Sequence, residues 1–176
     1  MALKFKGKVW VFGDNLDVDN EIFPFRKREA GLVKKGEEWK FVMTNVDPDF
    51  PNKVKKGDIM VVGTNMGYGH SHQDGIHGFK QLGISCVIAE SFNMSFFKNS
   101  INLGLPIIEY KGIKQKVKEG DELEIDFHDG EIKNLTTGKA LKFTPYPDFL
   151  LEILEVGGLE PYADKLIADG IENNNM

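Results

Sequence analysis

Three of the chain's four histidines fall inside eight residues, in the run His70-Ser71-His72-Gln73-Asp74-Gly75-Ile76-His77. Imidazole titrates near neutrality, so His70 could take up or release a proton without help from its surroundings. Ser71 could take the same role only if nearby donors stabilised its alkoxide. The same residue types also suit a metal: His70 and His72, with His77 or Asp74, offer enough nitrogen and oxygen donors for zinc. A blander use for His77 is a hydrogen bond at the start of a helix.

The elements around this run must hold it in place. Asp58-Ile-Met-Val-Val62 is an apolar stretch that reads as a short buried strand. It runs into Gly63-Thr-Asn-Met-Gly-Tyr-Gly69, whose glycines permit positive φ and are expected to leave backbone amides bare for an anionic ligand. After the histidines, a helix over 77–82 should close at Gly83, and Ile84 to Ala89 should return as a parallel strand. Ser91 is placed to cap a helix over 92–103, with Phe92, Phe96 and Phe97 on its packed side, and Pro106 to Ile108 should start the next strand.

Upstream, Lys8 to Phe12 reads as a strand leading into the acidic turn Asp14–Asn20. That turn lacks the glycine and glutamate that an EF-hand requires at its sixth and twelfth positions, so a strand-end loop presenting Asp19 is the better reading. The loop Ile22-Phe-Pro-Phe-Arg-Lys-Arg28 is dense in cations, either as a solvated surface or as a ligand loop. Residues 39–43 fit a strand or a helix end equally. Beyond Val117 the pattern turns to short alternating strands with turns at 128–130 and 136–138, then a helix over 147–156 stopped by Gly157-Gly158. The end of the chain, from about residue 168, is expected to fray.

Composition narrows the function classes. With 176 residues, the chain is long enough for one domain with a real core. A net charge of -5 speaks against a non-specific nucleic-acid binder. No apolar run approaches a membrane span and no signal peptide opens the sequence, so a cytoplasmic protein without membrane association is expected. One cysteine, Cys86, cannot form an internal disulfide or hold an iron–sulfur cluster with cysteine ligands.

The order of motifs resembles the small subunit of the isopropylmalate dehydratase family, the swivel domain of aconitase-type hydro-lyases. Val11-Phe-Gly-Asp-Asn-Leu-Asp-Val-Asp19 is similar to the family's opening strand and acidic turn, with Val18 where threonine is usual. The stretches 57–69, 83–92, 99–106, 134–138 and 149–154 match further family segments in order. The resemblance implies a three-layer β/β/α domain with a partly closed β-barrel, spanning residues 1–176. It implies a large subunit whose [4Fe–4S] cluster binds a small hydroxy-acid substrate, while this chain supplies the base and substrate-binding residues. Self-association of small subunits is also implied.

The family's loop continues as Ser-Ser-Arg-Glu-His; here those positions are His70, Ser71, His72, Gln73 and Asp74. His70 therefore takes the place of the catalytic serine, with Ser71 as the alternative base and Asp19 as the carboxylate that stabilises a cationic histidine. His72 replaces an arginine that grips a carboxylate, and a histidine does not reproduce its bidentate fork. Either the substrate differs from isopropylmalate there, or another cation serves; Arg26 and Arg28, on the loop that corresponds to the family's substrate-selecting loop, are the candidates. Asn65, Gly67 and Gly69 stand where the family's substrate loop does. The rival readings are a zinc site built from His70, His72 and His77, and a non-catalytic module for a small anion or a partner.

Overall fold

The structure, a computed structural model, describes residues 3–174. Its frame is a seven-stranded sheet in the order β4-β3-β2-β1-β5-β6-β7, strongly curled into a half-barrel. The strands are β1 (Lys4–Val11), β2 (Ile59–Val62), β3 (Cys86–Ala89), β4 (Ile107–Glu109), β5 (Glu122–Asp126), β6 (Glu131–Asn134) and β7 (Lys139–Lys142). The first strand belongs to both halves. Lys4 to Lys8 pair antiparallel with β5, whereas Val9 to Val11 pair parallel with β2.

The two halves follow from their sequence patterns. Every residue of Ile59-Met-Val-Val62 and Cys86-Val-Ile-Ala89 is buried, as parallel strands covered on both faces must be. In β5 and β6 buried Leu123, Ile125 and Ile132 alternate with more exposed polar residues, so one face packs inward and the other meets solvent. Asp126 accepts from the amides of His128 and Asp129 to build the first hairpin turn, and Asn134 does the same for Thr136 and Thr137 in the second.

Helix α3 (Asp74–Leu82) links β2 to β3 and ends at Gly83, which is left-handed at φ 79°. Helix α4 (Met94–Asn102) links β3 to β4. Its cap is Asn93, whose side chain accepts from the Ser95 amide; Ser91, the expected cap, instead accepts from the Asn65 amide in the glycine loop. Short helices α1 (Phe25–Glu29) and α2 (Phe50–Lys53) interrupt the long β1–β2 connection, and residues 39–43, which fit a strand or a helix end equally, fall in a single 3-10 turn (Glu38–Lys40) and the turn after it. The proline-punctuated loop is thus partly helical: Pro24 precedes α1 and its fixed φ suits a helix start.

Helix α5 (Asp148–Glu155) and helix α6 (Leu159–Asn174) complete the chain. The backbone of α6 is helical through Asn174, and residues 175 and 176, the end of the tail expected to fray, lie outside the described residues. Among the described residues, no helix is long and apolar enough to cross a membrane.

Candidate functional site

The histidine loop emerges from the C-terminal end of β2, between the loops that leave β1 and β3. Ligand sites in open parallel sheets collect at these strand ends, because the loops there converge. The loop is stitched to both neighbours. The amides of Gly63 and Gly67 donate to the carbonyls of Gly13 and Leu16, and Val18 donates to Tyr68. On the other side Met66 donates to Ser91 and accepts from Asn93.

The expectation of bare amides needs correction. Thr64 donates to the Asp14 carboxylate and Asn65 to the Ser91 hydroxyl, so the amides of residues 63–67 are all engaged within the chain. The glycines serve close packing and turning instead. At Gly67, with φ 79°, a Cβ would overlap the Phe96 ring. At Gly69, with φ 102°, it would sit 3.1 Å from the Asp19 carboxylate. Asn65, also at positive φ, donates its side-chain amide to Asn15 and so acts as a clamp on the loop.

This scaffold brings Asp19, His70 and His72 together. Asp19 lies in a single π-helical turn (Val18–Ile22) capped by Asp17, whose carboxylate accepts from the Asp19 amide at 2.5 Å. His70 Nδ1 is 2.7 Å from Asp19 Oδ2, the distance of a charge-assisted hydrogen bond. His72 Nε2 approaches the other oxygen, Oδ1, at 3.4 Å. The His72 ring stacks on Phe25 with centroids 3.6 Å apart and planes 15° from parallel, so the first residue of α1 fixes its orientation. The Asp19 hydrogen bond and charge raise the His70 pKa above the ordinary histidine value. The His70 side chain is nonetheless 81% exposed and faces outward beyond Asp19.

Next to this cluster lies a cavity of about 600 Å³, whose wall includes Ser71, His72, His77 and Lys35. Of the two arginines singled out from the sequence, Arg28 lines the cavity but is already matched. Its guanidinium donates to Asp74 at 2.5 Å and to Glu38 at 2.7 Å, and it also reaches the Val33 carbonyl. A cation with two carboxylate partners is a poor third-party anchor, so Arg28 ties α1 to α3 rather than offering a free charge. Arg26 is exposed and forms no ion pair among the described residues; the same holds for Lys35.

Ser71 is exposed, and its recorded contact is through its carbonyl, which accepts from Asn99. His77 is exposed on the cavity wall and stands outside the Asp19–His70–His72 group. Asp74 is held by Arg28, so a metal group in this loop would draw on Asp19 rather than on Asp74 or His77. Sequence reasoning missed Phe25, Lys35 and Glu38. A lone aromatic after a proline and isolated charges in a long connection carry no pattern that marks them.

The Aconitase C-terminal domain family matches residues 2–112. The isopropylmalate/citramalate isomerase small subunit of Methanocaldococcus jannaschii is 56% identical over 164 residues, covering 93% of this chain and 96% of that protein. The 3-isopropylmalate dehydratase small subunit 1 of Thermotoga maritima is 44% identical, covering 91% of this chain and 95% of its own. A crystal structure of 3-isopropylmalate dehydratase from Methanocaldococcus jannaschii superimposes with a TM-score of 0.85 at 33% identity, over 97% of this chain and 99% of that one.

Proposed function

Because the chain belongs to the isopropylmalate dehydratase small-subunit family, with the aconitase C-terminal (swivel) fold, we propose that it supplies a proton-transfer pair, His70 and Asp19, to an active site completed by a large subunit. The chain is the small subunit of an aconitase-type hydro-lyase. The observation that carries the residue assignment is the 2.7 Å contact between His70 Nδ1 and Asp19 Oδ2 at the open end of the parallel sheet. Such a pairing favours the tautomer with its proton on Nδ1, leaving the Nε2 lone pair as the group that exchanges a proton.

The reaction is reversible removal of water from a small hydroxy acid, with relatives named for isopropylmalate and citramalate pointing to a substituted malate. When bound, a [4Fe–4S] cluster supplies Lewis acidity toward the substrate's oxygens. The donor set of this chain does not fit such a cluster: Cys86 is its one cysteine and is fully buried in β3. The cluster therefore belongs to the large subunit, and this chain's residues handle the proton. Neutral His70 takes the proton next to the substrate's carboxylate, and Asp19 stabilises the resulting imidazolium. His72, held flat by Phe25, and Lys35, on the cavity wall, bind the carboxylate that the missing arginine would have gripped. Arg26, exposed in α1 and without an ion pair among the described residues, is the second cation available.

The test is turnover by the reconstituted two-subunit enzyme. His70→Ala should abolish hydration and dehydration alike while the variant still folds and joins the large subunit. Unchanged turnover removes His70 from the chemistry, and loss only in Ser71→Ala transfers the role to that residue.

A further inference from the structure

We propose that Asp19, His70 and His72 form a binding site for a divalent first-row cation of the zinc type. Their ligand atoms, one from each residue, lie within 4.8 Å of one another. Two imidazoles and a carboxylate are the donor set such ions take, and harder ions such as magnesium avoid. Bonds of about 2.0–2.1 Å in a tetrahedron place neighbouring donors about 3.3 Å apart. His72 Nε2 and Asp19 Oδ1 already stand 3.4 Å apart. His70 Nδ1 and Asp19 Oδ2, at 2.7 Å, must open slightly, and the exposed His70 side chain has room to do so.

A second observation points to the same place. Asp19 Oδ1 is buried yet accepts no hydrogen bond, while its companion oxygen holds His70. An acceptor removed from water without a donor is costly, and a cation is one way of satisfying it. No lysine or arginine pairs with Asp19 among the described residues. Asp17, close behind Asp19 in the same turn, adds negative potential. The platform is firm, because the loop bearing the histidines is bonded on both sides and His72 is clamped by Phe25. With three donors from the chain, a fourth would come from outside it, as water or a substrate oxygen. An ion on Nδ1 leaves the imidazole proton on Nε2, which then has no lone pair to accept another, so occupancy and proton uptake by His70 exclude one another.

Calorimetric titration of the metal-free full-length chain with Zn²⁺ tests the site without depending on turnover. One equivalent should bind with micromolar affinity or better, and Mg²⁺ should give no comparable heat. His72→Phe keeps the stack on Phe25 but removes the donor, and should weaken Zn²⁺ by about tenfold or more. Asp19→Asn, nearly isosteric, should do likewise, whereas His77→Ala should bind as the parent does. Absence of binding, equal binding of Mg²⁺, full affinity in a folded His72→Phe variant, or loss of affinity in His77→Ala would each overturn the assignment. A chain that binds zinc as described while His70→Ala retains turnover keeps the metal site and loses the catalytic reading.

Discussion

Replacing Glu38 by glutamine tests whether the basic segment ahead of the site is structural. Glu38 is buried, with its side chain 7% exposed, and it receives Arg28 at 2.7 Å, Gln81 at 2.7 Å and the Gly36 amide at 2.9 Å. Burial alone would raise its pKa, but the hydrogen bonds from Gln81 and Arg28 outweigh it and hold the carboxyl at about 2, against an ordinary 4.5. That difference corresponds to about 3 kcal/mol of folding stability linked to ionisation. Because the folded value is depressed, the contribution is complete above the ordinary carboxylate range and disappears as pH falls from 4.5 towards 2. Glu38→Gln keeps the shape, removes the charge and turns an amide toward donors that need an acceptor. It should cost about 2–3 kcal/mol at pH 7, seen as a fall of roughly 5–10 °C in Tm for a chain of this size. Urea unfolding of parent and variant at pH 7 and again near pH 3.5 measures it, and the gap should narrow at the lower pH. A variant within about 0.5 kcal/mol of the parent at pH 7, or a gap indifferent to pH, would refute the reasoning and return Arg28 to the list of free cations.

Two further outcomes follow from the loop and the cavity. Gly67→Ala places a Cβ into the Phe96 ring at a left-handed φ of 79°, so it should destabilise the chain by about 1–3 kcal/mol and impair activity through the loop's position; a variant with parental Tm would contradict the packing described. Lys35→Met should raise KM in the reconstituted enzyme with a smaller change in kcat, and Arg26→Ala should do the same more weakly. Steady-state kinetics on a malate-type substrate decides both, and unchanged KM in the pair would remove these cations from the substrate's carboxylate.

Much of the frame was legible because burial imposes patterns. The unbroken apolar runs at Ile59–Val62 and Cys86–Ala89, both short, read as covered strands, and the alternation from Glu122 onward reads as a half-solvated meander. Gly83 and Gly157 marked helix ends for the same local reason. The crowding of histidines located the site, and the acidic turn supplied Asp19. What could not be read were partners set by tertiary contact. Nothing local says that Arg28 meets Asp74 across 46 residues, that Phe25 lies on His72, or that Ser91 serves the glycine loop instead of its own helix. The glycines at 67 and 69 signalled a special backbone, but only the fold shows that Phe96 and Asp19 crowd them.

The central claim is that His70, steadied by Asp19, moves the proton, and the pH dependence of kcat/KM reaches it most directly. A base must be neutral to act, and the Asp19 hydrogen bond raises the pKa of His70, so activity should climb with pH through a midpoint above the ordinary histidine value. Asp19→Asn removes the charge that favours the imidazolium, so its residual activity should show that midpoint displaced to lower pH. A profile with no such ionisation, or one whose midpoint is identical in parent and Asp19→Asn, contradicts the account.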